Sequence, residues 1–206
     1  MIAVIDYEMG NLRSVAKALE CVGGQVTVTN DRTVIEQADR IVLPGVGAFP
    51  DGIKNLREHH LTGLLHQQVI EMKKPFLGIC LGMQLLAKKS YEFGETEGLG
   101  WIDAEIVRFE FADPQLRVPH VGWNDVEIVK PGSIFSKTKS GDNFYFVHSY
   151  YMKNNDPSDV AATCDYGGNF TAAIQRGNIF ATQFHPEKSQ SKGLDILEQF
   201  VEWNGR

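Results

Sequence analysis

The sequence predicts an α/β protein with a three-layer arrangement, in which a mostly parallel central sheet gains antiparallel strands in the second half of the chain. Two patterns predict it. In the first half, short apolar runs typical of buried strands alternate with segments of helical spacing, which favours a parallel sheet covered by helices. In the second half, strand-like segments follow one another with turn signals between them. A length of 206 residues fits a single domain over residues 1–206.

The first half supplies the alternation of strands and helices. Helical spacing of apolar residues is found at Leu12, Val15, Ala16 and Leu19, which predicts a helix there. The pair Gly23-Gly24 ends this predicted helix. The expected elements, in order, are a strand at Ile2–Tyr7, a helix from Leu12, a strand at Gln25–Thr29, a short helix with Asp31 as N-cap, a strand at Arg40–Leu43, a helix at Asp51–Met72, a strand at Pro75–Ile79 and a helix at Cys80–Lys89.

The second half reads as a series of strands before one last helix. Arg176-Gly177-Asn178 supplies a turn, and Leu194, Leu197 and Val201 share one face of the final helix. The expected elements are strands at Ala104–Glu110, Val126–Val129, Phe144–Met152, Val160–Tyr166, Phe170–Ile174 and Ile179–Phe184, and a helix at Lys192–Trp203.

Composition narrows the class of protein. A net charge of −6 argues against nucleic acid or an anionic membrane as the main partner. No apolar run approaches the roughly 18 residues of a membrane helix, and Asp6 interrupts the N-terminal apolar run, so no signal peptide is expected. Cys21, Cys80 and Cys164 are too few and too far apart for a disulfide framework, which favours a reducing cytoplasm.

Cys80 lies between two glycines, each two residues away, in Gly78-Ile79-Cys80-Leu81-Gly82. This is the pattern of a nucleophile elbow with cysteine in place of serine, where a sharp strand-to-helix turn leaves no room for side chains at the flanking positions. The sulfur would then lie at a helix N-terminus, whose dipole favours thiolate. An isolated pattern of this kind fits an inert buried cysteine equally well. The strand before it and the helix after it favour the nucleophile.

A thiolate nucleophile needs a base and a group that orients the base. Gln183-Phe184-His185-Pro186-Glu187 follows a predicted strand, and Pro186 favours extended backbone at His185. Residues two apart in extended chain point to the same side, so Glu187 can hold the His185 imidazole. Taken alone, His-Pro-Glu would be read as a surface turn. The remaining histidines, His59, His60, His66, His120 and His148, show no convincing metal-ligand spacing.

With both motifs present, the chain resembles the class I (triad) glutamine amidotransferases. Within them it is most similar to the glutaminase subunits of imidazole glycerol phosphate synthase. The resemblance covers essentially the whole chain. Besides the elbow and the His-Pro-Glu-Lys-Ser end, it rests on Asp6-Tyr7, Met9–Leu12, Leu43–Phe49, Pro119–Asn124 and Tyr145–Tyr150.

The resemblance implies a role for each matched segment. Cys80 would be the nucleophile that forms a γ-glutamyl thioester, with His185 moving protons and Glu187 orienting it. Backbone N–H groups of Gly45, Val46, Gly47 and Leu81 would stabilise the oxyanion. The residues that would hold the glutamine substrate are Gln84, Glu92, Ser149 and Tyr150, with Glu92 suited to the α-amino group.

The resemblance also implies a partner, a (β/α)₈ cyclase subunit that receives the ammonia and forms a heterodimer with this chain. The two together would make imidazole glycerol phosphate and AICAR in histidine biosynthesis. The matched residues expected at the interface are Asn11, His120, Val121, Gly122, Trp123, Asn124 and Tyr145. Core packing is the competing interpretation for Trp123, and a structural role competes at His120 and His148. No cofactor and no metal are expected, since Gly45-Val46-Gly47 is too short for a dinucleotide fingerprint.

Three other functions compete with this interpretation. The family often has glycine where this chain has Glu8 and methionine where it has Val121, and both positions fall in expected partner-facing segments. A paralogous subunit that donates ammonia for amidation of a surface-polysaccharide sugar is therefore a second hypothesis. A catalytically inactive binding module is disfavoured by the complete set of Cys80, His185 and Glu187. A cysteine peptidase or γ-glutamyl hydrolase is disfavoured by Gln84 and Ser149-Tyr150.

Overall fold

The computed structural model describes residues 1–205, apart from the side chain of Ser133. Within them the strands lie in two sheets, one of nine strands and one of four. The strands are β1 (Ile2–Ile5), β2 (Val26–Thr29), β3 (Arg40–Leu43), β4 (Phe76–Ile79), β5 (Ala87–Ser90), β6 (Thr96–Glu97), β7 (Ile102–Arg108), β8 (His120–Ile128), β9 (Asp142–His148), β10 (Tyr150–Asn154), β11 (Val160–Asp165), β12 (Asn169–Arg176) and β13 (Ile179–Thr182).

Six α-helices are found within residues 1–205, and a π-helical segment, His66–Glu71, directly follows the fourth. The helices are α1 (Leu12–Cys21), α2 (Arg32–Gln37), α3 (Phe49–Glu58), α4 (Leu61–Leu65), α5 (Leu81–Gln84) and α6 (Gln190–Glu202). Asp31 caps α2 as predicted, since its carboxylate accepts a hydrogen bond from the Val34 N–H at 3.1 Å. Within the same residues, no helix combines the length and apolar character needed to cross a lipid bilayer.

The large sheet has the order β2-β1-β3-β4-β13-β12-β11-β8-β9. From β2 to β13 neighbouring strands are parallel, and from β13 to β9 they are antiparallel, as predicted for the two halves of the chain. The carboxyl ends of β3, β4 and β13 therefore meet at one edge of the sheet. The residues that directly follow these three strands are Pro44, Cys80 and Gln183. The topology therefore brings the three segments that contain them together.

The parallel strands are buried on both faces, and β1 shows how. Ile2 and Val4 pack in one core with residues of α1 and α6, such as Leu19 and Leu197. Ala3 and Ile5 pack in the other core, which includes α3, α4 and the small sheet. Alternate side chains thus enter opposite layers, and the continuous apolar run of β1 follows from burial on both sides.

The small sheet, β10-β7-β5-β6, corrects one predicted element. The helix expected at Cys80–Lys89 ends at Gln84, and Ala87–Ser90 instead forms β5, parallel to β7 and antiparallel to β6. The apolar run from Leu85 to Ala87 fits either structure when read locally. Pairing with two strands that lie later in the chain decides it, and no local pattern reports that pairing.

Two long predicted elements are each divided by one residue. The helix expected at Asp51–Met72 breaks between α3 and α4, where His60 has a left-handed φ of 57° that a continuing helix excludes. The strand expected at Phe144–Met152 breaks at Ser149. β9 pairs in the large sheet and β10 in the small one, so Ser149 bridges the two sheets. The prediction of one domain over residues 1–206 stays a prediction.

Candidate active site

Cys80 occupies a strained turn between β4 and α5, with φ 53° and ψ −107°. Its N–H donates to the Thr182 carbonyl at 2.8 Å, which ties the turn to β13. The flanking glycines are needed for space. A Cβ on Gly82 would lie 1.8 Å from the Leu43 carbonyl oxygen, and one on Gly78 would lie 2.9 Å from the Gly82 carbonyl oxygen. The backbone therefore has the geometry of a nucleophile elbow.

His185 and Glu187 lie together in the interior beside Cys80. The His185 Nδ1–H donates to Glu187 Oε1 at 2.8 Å, and both side chains are almost fully buried. That hydrogen bond leaves Nε2 as the ring nitrogen that can exchange a proton with Cys80. Burial alone would lower the pKa of His185, but the attraction of the Cys80 charge, then of Glu187, outweighs it and raises the pKa to about 10.

The Cys80 sulfur also contacts an amide. Gln183, which is fully buried, places its Nε2 3.6 Å from Sγ. Its Oε1 accepts a hydrogen bond from Gln84 Nε2 at 3.0 Å. On another side, the buried Tyr7 hydroxyl donates to the Pro44 carbonyl at 2.8 Å. Burial raises the pKa of the Tyr7 phenol well above its ordinary value, and the Cys80 charge adds to that rise. Neither Gln183 nor Tyr7 was predicted to have a role of its own in the site.

A cavity of about 450 Å³ opens over Cys80. It is large enough for an amino acid, and its wall combines side chains from both sheets. The residues that line it are Val46, Gly47, Cys80, Leu81, Gln84, Glu92, Pro119, Val147, His148, Ser149, Tyr150 and Lys188. The four predicted substrate residues are all among them, while Lys188, which also lies over the Tyr145 ring at 5.8 Å, was not predicted.

The predicted oxyanion donors are not all free. The Leu81 N–H donates to the Gly45 carbonyl oxygen at 3.3 Å, so a carbonyl faces the position where an oxyanion would need donors. Gly45 is packed too tightly for any side chain, because a Cβ there would lie 2.2 Å from the Tyr7 hydroxyl oxygen. Gly47 has a left-handed φ of 106°. Gly45 is thus required by packing and Gly47 by its backbone conformation. The Gly45–Val46 peptide points its N–H away from Leu81.

Gln84 and Glu92 present different groups to the cavity. Gln84 Nε2 donates to both the Tyr150 carbonyl, at 2.9 Å, and Gln183 Oε1, so only its oxygen is left for a ligand. Glu92 Oε2 accepts from the Phe49 N–H at 2.8 Å. Partial burial raises the pKa of Glu92. The cavity therefore offers two acceptor groups for donors of a ligand.

His120 and His148 form a buried pair behind the cavity. The His148 Nδ1–H donates to the Tyr150 carbonyl at 2.9 Å, which leaves His148 Nε2 to accept from His120 Nδ1 at 3.0 Å. His120 Nε2 then accepts from Asn124 Nδ2, at 3.4 Å. Burial lowers the pKa of His120 to about 4, and burial with the charges of His120 and His185 lowers that of His148 to about 3. Both rings are neutral in the folded chain near pH 7.

We expect this pair to make the fold acid-labile. An unfolded histidine takes up a proton near pH 6.5, whereas the folded pair does so only near pH 4 and below, so stability falls as the pH falls from about 6.5 to about 4. Each group contributes up to about 1.4 kcal/mol per pH unit in that window, for a loss on the order of a few kcal/mol. Urea unfolding between pH 7 and 4 measures it.

The variant His148→Asn should flatten this pH dependence, because its amide can still donate to the Tyr150 carbonyl and does not titrate. The exposed His60 is the matched control, and His60→Asn should keep the slope of the wild-type chain. Equal slopes in His148→Asn and the wild-type chain would contradict the assignment.

The residues predicted at a partner interface do not all face outward. Val121 and Trp123 are exposed by 54% and 46%, on the outer side of β8, and Trp123 meets Tyr145 edge-on at 6.2 Å. Asn11, Gly122 and Asn124 are half-buried. His120 is the exception, because it is 3% exposed and paired with His148. The alternation of β8 turns its side chain inward, so it is removed from the set that can touch a partner directly.

Glu8 has a left-handed φ of 64°, a conformation that glycine adopts without steric cost, which fits the glycine that the resemblance leads one to expect here. Its exposed carboxylate lies 3.4 Å from His59 Nε2. A left-handed glutamate costs about 1 kcal/mol relative to glycine, so the departure is tolerated by the fold.

Comparison with known proteins places these features in context. A model of the class-I glutamine amidotransferase family matches residues 3–203. The imidazole glycerol phosphate synthase subunit HisH of Rhodopirellula baltica is 50% identical over 201 residues, which cover 98% of this chain and 97% of that protein. The HisH subunit of Aquifex aeolicus is 52% identical over 198 residues, 96% of this chain and 94% of that protein.

A solved glutamine amidotransferase structure superimposes with a TM-score of 0.76 at 19% identity, with both chains fully covered. At that identity the likeness concerns the fold alone, and the predicted fold class is confirmed. The match spans both sheets, so it includes the edge from which Cys80 and His185 emerge.

Proposed function

The chain belongs to the class-I glutamine amidotransferase family, and we propose that it is the glutaminase subunit of an imidazole glycerol phosphate synthase. It hydrolyses L-glutamine to glutamate and ammonia, and a cyclase partner uses the ammonia in histidine biosynthesis. The observation that carries the activity is Cys80 in a strained elbow beside the buried His185–Glu187 pair. The pathway is supported by relatives about half identical over nearly the full length.

In this mechanism Cys80 Sγ attacks the carboxamide carbon of glutamine, and its proton is held by His185 Nε2. The tetrahedral intermediate collapses when His185 gives that proton to the departing nitrogen. Ammonia leaves, and Cys80 remains bound to the substrate as a γ-glutamyl thioester. Water then attacks the thioester, His185 takes the proton of the water and gives it to the sulfur, and glutamate departs. Glu187 keeps the Nδ1–H tautomer throughout, which leaves Nε2 to move the protons.

Glutamine is held by acceptors on one side and by backbone on the other. Glu92 accepts from the α-ammonium group, as its carboxylate lies in the cavity wall. Gln84 accepts through Oε1, since both of its N–H donors are used within the protein. Ser149 and Tyr150 meet the α-carboxylate end through the backbone at the junction of the two sheets. Gly45, Val46, Gly47 and Leu81 form the oxyanion site once the Gly45 carbonyl has turned away.

The partner is a (β/α)₈ cyclase subunit that docks on the face carrying Val121 and Trp123, with Asn11, Gly122, Asn124 and Tyr145 around them. The exposed aromatic and aliphatic side chains are of the kind that anchor protein interfaces. Three cysteines that form no disulfide are consistent with a reducing compartment, so we place the subunit in the cytoplasm.

A genetic test separates this function from its competitors. The chain is expressed with the cyclase of the same genome in a bacterium that lacks both subunits and therefore requires histidine. Growth without histidine is expected with the wild-type chain and not with Cys80→Ala when external ammonium is low. No growth, in cells where both proteins accumulate and bind each other, would contradict the pathway. Rescue of a surface-polysaccharide amidation mutant instead would identify the paralogous function.

A further inference from the structure

The amide of Gln183 is the one contact of the Cys80 sulfur that the mechanism above leaves without a use. We propose that Gln183 is a catalytic residue, whose side-chain N–H donates to the Cys80 sulfur and favours its thiolate. The inference rests on the proposed role of Cys80 as nucleophile. Gln183 is fully buried, and Nε2 lies 3.6 Å from Sγ, within hydrogen-bonding reach of a sulfur acceptor.

The direction of this hydrogen bond is fixed by a backbone carbonyl. The Tyr150 carbonyl oxygen can only accept, so the Gln84 amide must turn its nitrogen toward it, at 2.9 Å. The second N–H of that nitrogen then needs an acceptor, and Gln183 Oε1 lies 3.0 Å away. Gln183 is thereby forced to direct its own nitrogen, and not its oxygen, at the sulfur.

The carbonyl that sets this direction is itself held in place. The Tyr150 oxygen also accepts from His148 Nδ1 at 2.9 Å, and His148 is in turn held by His120. One carbonyl thus anchors two chains of side-chain hydrogen bonds, and all of the side chains involved are buried. A buried network in which every direction is determined holds an amide more rigidly than a single contact would.

An N–H directed at sulfur acts on the steps that make and expel a thiolate. A donor stabilises the charged acceptor more than the neutral one, so it raises the fraction of Cys80 that is ready to attack. It acts again when the thioester is hydrolysed, because the C–S bond breaks and the electron pair leaves with sulfur. A helix dipole is a weak alternative source of this stabilisation, since α5 has four residues only.

The test measures Cys80 without turnover, by alkylation of the full-length chain with iodoacetamide, followed site by site with mass spectrometry. The exposed Cys21 is the internal reference in every sample. In Gln183→Met, which keeps the volume and loses the donor, Cys80 alkylation at pH 7 should slow about tenfold relative to Cys21. The deficit should close as the pH is raised, because the thiolate then forms without help. A purely structural loss would not close in this way.

A second variant and a control keep the result interpretable. Gln183→Glu keeps the shape and still accepts from Gln84. Once the pH is high enough to ionise both groups, its carboxylate repels the thiolate, so its alkylation deficit should persist at the pH where that of Gln183→Met closes. Gln68 is a buried glutamine on the π-helical segment before β4, at the opposite edge of the sheet. Gln68→Met should leave the alkylation of Cys80 unchanged while it reports the general cost of removing a buried amide.

Wild-type alkylation of Cys80 at pH 7 in folded Gln183→Met would overturn the proposal. With the cyclase partner bound, Gln183→Met should lower kcat for glutamine about tenfold and change KM less, because the amide contacts the sulfur directly and the substrate only through Gln84. Failure of the proposed function would look different. The wild-type chain bound to its partner would then form no glutamate from glutamine, whatever the reactivity of Cys80 toward iodoacetamide.

Discussion

Replacing Cys80 with alanine is expected to abolish glutamine hydrolysis by the complex while the chain keeps its fold. Alanine removes the atom that attacks the carboxamide, and water held in the same cavity lacks both the nucleophilicity and the position of a thiolate. The expected loss in kcat is several orders of magnitude, roughly the size of the losses seen when a covalent nucleophile is removed. Glutamate formation, measured with the cyclase partner present, gives the rate.

Ammonium should bypass the lesion, because only the source of ammonia is missing. The complex of Cys80→Ala with its partner should make imidazole glycerol phosphate at the wild-type rate when high ammonium replaces glutamine. Cys164 is the matched control, since it is also buried but packs at β11, away from the cavity. Cys164→Ala should keep glutamine-dependent activity. Glutaminase activity of Cys80→Ala near the wild-type rate would refute the nucleophile, and a complex still inactive with ammonium would show a further role for Cys80.

Local sequence patterns predicted the parts of the site that depend on sharp local geometry. The spacing of Gly78, Cys80 and Gly82 implies a turn without room for side chains, and the structure has a carbonyl oxygen where a Gly82 side chain would lie. His185 is extended, as Pro186 predicts, but Pro186–Lys188 forms a 3₁₀ turn, so the expected extended geometry at Glu187 was wrong. The turn, and not a strand, brings the Glu187 carboxylate to the imidazole. In both cases the interacting groups are neighbours in sequence, or are fixed by one backbone conformation.

The features that were missed depend on pairing between distant segments. β5 becomes a strand because β6 and β7 lie beside it. Gln183 reaches Cys80 across 103 positions of sequence, and only the adjacency of β4 and β13 creates that contact. His120 was expected at an interface, but the register of β8 with β9 turns it onto His148. A single sequence does not report register, and register decides each of these contacts.

The isolated chain is expected to be a poor glutaminase that its partner activates. The Leu81 N–H is engaged by the Gly45 carbonyl, so the oxyanion site lacks donors until the Gly45–Val46 peptide turns over. Turning it changes ψ at Gly45 and φ at Val46. Val46 has no positive φ here, and a turn of about 180° would bring a β-branched residue into the left-handed region at a cost of roughly 1–2 kcal/mol. The inactive orientation is therefore the resting one.

A docked partner with its nucleotide ligand activates the chain if it favours the turned peptide. Restoring an oxyanion donor is worth roughly a hundred- to a thousandfold in rate, which sets the activation expected on adding the cyclase and a nucleotide substrate or analogue. Steady-state glutaminase rates of the chain alone, of the pair and of the pair with ligand measure it. Activation only by a barrel from a surface-polysaccharide cluster would reassign the partner.

Val46→Gly isolates the peptide turn from docking. Glycine removes the penalty of a positive φ, so the chain without a partner should gain about tenfold in glutaminase rate, and the partner should add correspondingly less. Val129, an exposed valine just after β8, is the matched control, and Val129→Gly should leave the basal rate unchanged. Full activity in the isolated wild-type chain would refute the switch. Another outcome is a Val46→Gly chain that stays as inactive as the wild type and yet responds fully to the partner. Removing the side chain that opposes the turn would then have changed nothing, so the barrier would lie in another part of the oxyanion segment.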